Sequence, residues 1–209
     1  MAIEKYLRQA MKNKFYLIFC FLFVSQYSLA NCLEPYENLN NFYNYKSFQA
    51  DFIQNFSTPD QNKLKGKIFL KKPYNLKLTI NKPSQSETII NNNSVFRIDY
   101  ELDQAVKYKK ENIIDQIPAA FLLLSTEKFC MNLEKVNCSP VACNIIPKDK
   151  TYISSISLIF EKSILSKVSY TNSFEEKSSI SFFDFDVNPE LSTSLFRYNQ
   201  EVSDLITLE

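Results

Sequence analysis

Histidine and tryptophan are absent from this 209-residue sequence, and glycine occurs once, at Gly66. Without histidine, the chain lacks the commonest general base and the commonest metal ligand in proteins. One glycine cannot build the glycine-rich loops that cradle phosphate groups. Four carboxylates stand near the ends of candidate strands, but no catalytic or metal-ligand spacing accompanies them: Asp99, Asp103, Asp184 and Asp186. We therefore expect a protein that is not an enzyme and has no catalytic residue, metal site or cofactor.

An excess of either charge is also lacking, because 24 basic residues face 23 acidic residues. Proteins that bind nucleic acids usually carry a basic patch or a basic stripe. No such cluster is visible here, so we expect no nucleic-acid partner.

The longest unbroken apolar run, residues 15–24, is too short to span a bilayer comfortably. Small residues follow it at Ser28 and Ala30, which suit the −3 and −1 positions of a cleavage site. Four basic residues precede it: Lys5, Arg8, Lys12 and Lys14. This pattern predicts a signal peptide over residues 1–30, cleaved after Ala30, and therefore export to the periplasm.

Three alternatives for this region stay open. The segment could remain uncleaved as an N-terminal anchor. Cys32 could carry a lipid, although Asn31 is a poor residue before a lipidated cysteine. Translation could begin at Met11, because residues 12–30 form a complete signal by themselves.

The four cysteines that follow the signal predict two disulfides in an oxidising compartment, with three possible pairings. Cys138 and Cys143 flank a predicted turn at Ser139–Ala142, which favours a bridge between them. Cys32 and Cys130 would then form the second bridge. A four-cysteine zinc site is the competing interpretation, but no pair shows the short spacing that is typical of such sites.

The residues from 31 to 209 predict a mainly β, α+β domain. Apolar residues at helical spacing indicate a helix over 33–45, and strict alternation over 48–56 indicates a strand. Further strands are expected at 66–71, 76–80, 87–90, 95–100, 105–109, 129–136, 142–146, 156–160, 165–171 and 178–187, with a short last element at 195–198. About ten antiparallel strands approach the limit for an open sheet, so we expect the sheet to curl strongly.

One apolar segment, residues 117–124, interrupts the strands and predicts a short helix with Pro118 in its first turn. Because it is apolar on every side, it needs cover on more than one face. Two interpretations remain open: a core helix, or a lid whose inner surface touches something removable.

The order of these segments resembles that of the outer-membrane lipoprotein carrier family, the LolA family. Five motifs carry the resemblance, and together they span nearly the whole chain after residue 30. They are Phe48-x-Ala50-x-Phe52-x-Gln54, Gly66-x-Ile68-x-Leu70-Lys71-Lys72-Pro73, Ile89-Ile90-Asn91-Asn92-Asn93 with Val95-Phe96, Pro118-Ala119-Ala120-Phe121-Leu122-Leu123-Leu124, and Asn188-Pro189 with Leu195-Phe196. The sequence departs from the family in having no tryptophan and in carrying Lys72 where the family usually has an arginine.

The resemblance implies a half-open antiparallel β-barrel closed by a helical lid. Its cavity would take the acyl chains of lipoproteins from an inner-membrane ABC transporter and pass them to an outer-membrane receptor, with the carrier as a monomer. The implied cavity residues are Phe48, Phe52, Phe56, Ile68, Leu70, Leu76, Leu78 and Ile80. The implied lid residues are Leu39, Phe42, Pro118, Phe121, Leu122, Leu123 and Leu124. Lys72 would take the place of the arginine that latches the lid by bonding to its backbone.

Two other functions fit the same residues. The chain could be the outer-membrane lipoprotein receptor, or another lipid-binding module of this fold. It could also be a structural β-domain with a sealed core, because an alternating aromatic strand is more often ordinary packing than a ligand wall.

Overall fold

The computed structural model describes residues 32–57, 63–199 and 201–208. The chain divides after Cys32, and Leu33–Glu209 forms one compact unit. The predicted signal peptide at residues 1–30 lies outside the described residues. No helix among the described residues is both long enough and apolar enough to cross a membrane.

Within the described residues, a single mixed sheet of twelve strands dominates the fold. The strands are β1 (Ser47–Phe56), β2 (Leu64–Lys71), β3 (Asn75–Lys82), β4 (Ser86–Ile90), β5 (Ser94–Asp99), β6 (Gln104–Lys109), β7 (Leu133–Cys138), β8 (Ala142–Pro147), β9 (Ile153–Glu161), β10 (Ile164–Asn172), β11 (Lys177–Val187) and β12 (Asp204–Leu208). Their spatial order is β12-β6-β5-β4-β3-β2-β1-β11-β10-β9-β8-β7. The mainly β class and the half-open sheet are confirmed, because β12 and β7 remain as separate edges.

The sheet differs from the expectation at its edge. Twelve strands are present rather than about ten, and β12 pairs with β6 in parallel. The segment at 195–198 contributes to a short 3-10 turn, Thr193–Phe196, and β12 follows it. All five residues of β12 are exposed, so this strand adds backbone pairing without a buried face of its own.

The helical pieces that the structure describes before β7 are short. They are α1 (Glu37–Asn44), α2 (Lys110–Ile113), a 3-10 turn at Ile114–Gln116, a 3-10 segment at Pro118–Leu123 and α3 (Thr126–Met131). The helix expected over 33–45 is confirmed in its centre, whereas the apolar segment after Ile117 is 3-10 rather than α-helical. The prediction of a strand from Phe129 is wrong at its start, because Phe129 lies in α3 and β7 begins at Leu133.

Strand register defines which side chains share a face, because residues directly opposite in an antiparallel pair point the same way. Phe48 is paired with Leu70, and Leu70 with Leu76. We call their face the inner face, since Phe48 packs there against Phe42 of α1, with ring centroids 6.0 Å apart. The main core therefore lies between the inner face and the helices.

The opposite, outer face carries a second, smaller apolar cluster. Its members are Ile89, Phe96, Ile98 and Ala105, with Tyr198 and Val202 of the C-terminal segment packed on them. The rings of Phe96 and Tyr198 stack with centroids 4.9 Å apart. The C-terminal segment thus covers β4–β6 from outside, which explains why both faces of β5 are apolar at Val95 and Phe96.

The four cysteines of the described residues are oxidised. Cys138 and Cys143 form a disulfide across the β7–β8 hairpin, as predicted. Cys32 and Cys130 are also disulfide-bonded. The zinc interpretation is therefore wrong for these cysteines, because a metal ligand must be a free thiolate. A lipidated Cys32 is not compatible with this state either, since its sulfur is already bonded.

Candidate functional site

All eight candidate cavity residues lie on the inner face, and seven of them fall in three transverse rows. Register aligns Phe48 with Leu70 and Leu76, Ala50 with Ile68 and Leu78, and Phe52 with Gly66 and Ile80, while Phe56 extends the face along β1. This arrangement follows from the period-two pattern of the strands, which places every second side chain on one face.

Burial changes along the inner face. Phe48, Leu70 and Leu76 have no exposed surface, and Ile68 and Phe52 are nearly as buried. Toward the other end of the strands, Phe56, Leu78 and Ile80 are only half-buried. We call the first part the covered end and the second the open end. The apolar surface is thus continuous from a sealed region into one that solvent reaches.

Helical side chains fill the covered end. Leu39 and Phe42 of α1 are fully buried, and Leu122 and Leu123 of the 3-10 segment are nearly so. In and just after the same segment, Pro118, Phe121 and Leu124 are half-buried. The sequence candidates for the lid therefore lie together over the sheet, whether they serve as a core or as a lid.

An aromatic cluster joins α1, the 3-10 segment at Pro118–Leu123 and α3. The ring of Tyr43 lies 4.6 Å from that of Phe129 and 6.4 Å from that of Phe121, between centroids. Phe121 and Phe129 complete the triangle at 5.5 Å. The Tyr43 hydroxyl is buried there with no hydrogen-bond partner among the described residues, and burial raises the pKa of Tyr43 well above its normal value.

Lys72 contacts the end of α1. Its Nζ donates hydrogen bonds to the main-chain oxygens of Phe42 at 3.1 Å and Tyr43 at 2.8 Å. It also lies 5.0 Å and 4.8 Å from the ring centroids of the same two residues. Burial lowers the pKa of Lys72 from its normal 10.5 to about 7. The candidate latch therefore bonds to helix backbone, and the backbone is that of α1.

A cleft of about 640 Å³ lies beside this contact. It is bordered by the C-terminal turn of α1, by Lys71–Pro73 and by Ser125–Glu127 at the start of α3. Open space therefore separates the end of α1 from the first turn of α3.

A second cleft, of about 460 Å³, lies at the open end. Residues from five strands line it, among them Phe56, Ile145, Ile156, Tyr170 and Ser178. Register carries the row across the sheet from Phe56 to Ser178, Tyr170, Ile156 and Ile145. The apolar surface therefore continues onto β8–β11, which our candidate residues did not include.

A bulge in β11 brings another aromatic residue to the inner face. Asp184 has a left-handed backbone, with φ of 48°, and the pairing with β1 shifts at this point. A bulge of this kind re-aims the next side chain. Phe182 and Phe185 consequently both face Phe48, and Phe185 stacks on it with centroids 4.8 Å apart.

The single glycine is required by a close backbone approach. A Cβ at Gly66 would overlap the main-chain oxygen of Thr79 on β3. Gly66 faces inward between Phe52 and Ile80. Its position brings β2 and β3 unusually near each other in the wall of the sheet.

The four carboxylates considered for catalysis do not form one site. Asp99 Oδ1 accepts hydrogen bonds from the main-chain N–H groups of Glu101 and Leu102. Asp103 accepts a hydrogen bond from the Ser203 hydroxyl. Asp184 and Asp186 are on β11, a different part of the sheet. Among the described residues, no group of three acidic or cysteine side chains could hold a metal ion.

Comparison with known proteins adds the family. The family model for "Outer membrane lipoprotein carrier protein LolA" matches residues 43–199. The chain belongs to the LolA family. Members are carrier and binding proteins rather than enzymes. The match runs from the end of α1 through the Thr193–Phe196 turn, so β12 and most of α1 lie outside it.

Individual LolA relatives are distant but cover nearly the whole length. An outer-membrane lipoprotein carrier protein of Francisella tularensis subsp. tularensis (strain WY96-3418) is 26% identical over 187 residues, covering 87% of this chain and 91% of the relative. One from Francisella philomiragia is 26% identical over 192 residues, with 89% and 93% covered. An uncharacterized conserved protein from Thermus thermophilus has the same fold, with a TM-score of 0.52, 13% identity, and 82% and 98% of the two chains covered.

Proposed function

We propose that this LolA family member is a periplasmic carrier that binds lipoprotein acyl chains on its inner face. In this proposal it receives lipoproteins from an ABC transporter of the inner membrane and delivers them, as a monomer, to a receptor of the outer membrane. Cleavage after Ala30 would release it into the periplasm. The observation that carries the proposal is the continuous apolar surface from the covered end to the open end.

Hydrophobic transfer explains why such a surface is needed. Each buried methylene is worth about 0.8 kcal/mol, so a multi-acylated protein leaves a bilayer only for a surface that is comparably apolar. The open end offers half-buried Phe56, Leu78 and Ile80 as a first contact. The rest of the acyl chain can then enter between the sheet and the helices.

The way in which the helices are held supports a removable lid. Sheet strands are joined by ladders of backbone hydrogen bonds, whereas α1 is tied to its surroundings by side chains. Asn38 Nδ2 donates to the Pro140 oxygen at 2.7 Å, and Lys72 holds the two last-turn oxygens. Ring contacts of Phe42 with Phe48 and of Tyr43 with Phe129 add apolar packing. Acyl chains can replace apolar contacts at small net cost, and this competition keeps binding moderate enough for release.

The receptor alternative is disfavoured by the state of Cys32. A lipid-anchored receptor needs an N-terminal lipidated cysteine, and the Cys32 sulfur is in a disulfide. The structural alternative, a domain with a sealed core, accounts for the covered end but leaves the half-buried open end without a role.

Binding of a synthetic triacylated cysteine peptide tests the proposal by calorimetry, with the same peptide lacking acyl chains as the control. We expect saturable binding of the acylated peptide alone. Phe56→Glu should weaken it about tenfold or more, since burying a phenylalanine is worth about 1.5–3 kcal/mol. Phe183→Glu is the matched control, because Phe183 lies on the neighbouring strand and is 49% exposed on the outer face.

Absence of saturable binding to the acylated peptide would remove the carrier proposal. Equal losses from Phe56→Glu and Phe183→Glu would place binding elsewhere. The transport step is tested separately by depleting the protein in its own bacterium and fractionating the membranes. We expect lipoproteins of the outer membrane to accumulate in the inner membrane, and an unchanged distribution would contradict the transport role.

A further inference from the structure

Arg97 places a positively charged side chain on the inner face. Register aligns Leu78 of β3 with Thr88 of β4, Thr88 with Arg97 of β5, and Arg97 with Val106 of β6. Arg97 therefore shares its face and its row with Leu78, one of the apolar residues that form the proposed acyl surface.

Arg97 lies just beyond the covered end. Val95, two residues earlier on the same face, has no exposed surface, whereas Arg97 is exposed. Its apolar neighbours on the face, Leu78, Val106 and Tyr108, are half-buried. The guanidinium is therefore reachable by any molecule that occupies the open end.

Within the described part of the chain, protein groups leave the charge of Arg97 uncompensated. Its contact is with the ring of Tyr108, whose centroid lies 5.7 Å from the guanidinium carbon. The ion pairs of the described residues involve lysines, and no carboxylate lies within 4.0 Å of Arg97 there. Asp99, the next residue on the same face, turns its Oδ1 toward the N–H groups of Glu101 and Leu102.

A guanidinium in this setting selects for an anion. Its planar fork matches two oxygens of a carboxylate or a phosphate and donates paired hydrogen bonds to them. The ring of Tyr108 lies within cation–π distance of the guanidinium.

We propose that the open end binds acyl lipids with a negatively charged head group, held through carboxylate or phosphate oxygens by Arg97. The hydrocarbon chain would lie along Leu78 and Val106. This inference rests on the proposed binding of acyl chains to the inner face. It extends the ligands beyond the acylated cysteine of a lipoprotein, whose ester and amide groups carry no charge.

The test compares the affinities of matched ligands for the protein. The protein is purified after expression of the full-length chain. Hexadecanoate, hexadecyl phosphate and uncharged methyl hexadecanoate each displace a neutral fluorescent probe at concentrations below micelle formation. Inorganic phosphate alone shows whether the chain is needed. For Arg97→Gln we expect about tenfold weaker binding of both anionic lipids and unchanged binding of the methyl ester.

Lys107→Gln is the matched control variant, because Lys107 lies over the ring of Phe96 on the outer face, 5.9 Å from its centroid. It should leave all affinities unchanged. Equal affinities of Arg97→Gln and the unmodified protein for hexadecanoate would overturn the inference, as would an equal loss for the methyl ester. Failure of the unmodified protein to bind even the methyl ester would instead overturn the proposed function beneath it.

Discussion

The ammonium nitrogen of Lys72 lies 2.8 Å from the main-chain oxygen of Tyr43, at the last turn of α1. Carbonyls in the last turn of a helix have no partner within the helix, and a cation there also meets the negative end of the helix dipole. Lys72 thus ties the helix that covers Phe48 to the end of β2. This geometry makes the latch testable separately from ligand binding.

Replacing Lys72 should loosen α1 without unfolding the sheet. Hydrogen bonds to charged groups contribute about 1.5–3 kcal/mol, so Lys72→Met should speed amide exchange in Glu37–Asn44 about tenfold or more. Lys72→Arg, which retains charge and donors, should restore much of the protection. Hydrogen–deuterium exchange followed by mass spectrometry measures both, with β1–β3 as the internal reference. Unchanged exchange in α1 of the methionine variant would show that Lys72 is not a latch.

The lowered pKa of Lys72 predicts a pH dependence of stability. The unfolded chain holds this proton up to the normal pKa of 10.5, whereas the folded protein releases it near 7 because of burial. Within that window the unfolded state binds more protons, so the contribution of Lys72 to the free energy of unfolding rises with pH. Below about pH 7 both states are protonated, and this contribution is at its lowest and no longer changes.

Urea unfolding at about pH 6.5 and about pH 9 measures this effect. The difference in unfolding free energy between the unmodified protein and Lys72→Met should grow toward the higher pH, in favour of the unmodified protein. Lys65→Met is the control, since Lys65 is exposed on the outer side of β2, the strand that ends just before Lys72. A difference that is constant with pH would mean that Lys72 titrates normally.

Gly66 should be intolerant of any side chain. The Cβ of Gly66→Ala meets the main-chain oxygen of Thr79, and backbone cannot move aside as a flexible side chain can. We expect a loss of about 1–3 kcal/mol, as for overpacked sites, measured by chemical denaturation. Lys65→Ala, one residue earlier, should change stability by less than about 0.5 kcal/mol. Equal stabilities of the two variants would show that β2 and β3 are not so close.

Truncating a phenylalanine to alanine should cost much more stability at the covered end than on the outer face. Phe48→Ala removes a fully buried ring that contacts Phe42 and Phe185, and such changes cost about 3–5 kcal/mol. Phe183→Ala removes a ring that is 49% exposed, so we expect a loss below about 1 kcal/mol. Comparable losses in denaturant unfolding would contradict the assigned faces of β1 and β11.

Much of the sheet could be predicted because burial of one face imposes strict alternation. Phe48, Phe52 and Phe56 follow that rule, and the inner face was predictable from it. The bulge at Asp184 breaks the rule, since it places Phe182 and Phe185 on one face at a spacing of three residues. That spacing in the sequence was the available indication, and it also fits a helix.

Other features depend on contacts that local pattern does not encode. Val95 and Phe96 are adjacent and both buried, because the helices cover one face and Tyr198 covers the other. β12 has no buried face and is positioned by backbone pairing with β6 and by hydrogen bonds such as that from Gln104 to Asp204. The start of α3 did carry a recognisable capping residue: the Ser125 hydroxyl accepts from the Lys128 N–H.

Photo-crosslinking tests the central claim most directly. A triacylated peptide with a diazirine at the end of one acyl chain is bound, irradiated and digested, and the labelled residues are identified by mass spectrometry. The account predicts labels on inner-face residues such as Phe52, Leu78 and Tyr170. Labels confined to the outer-face cluster around Phe96, or labelling that unacylated competitor peptide removes equally well, would contradict it.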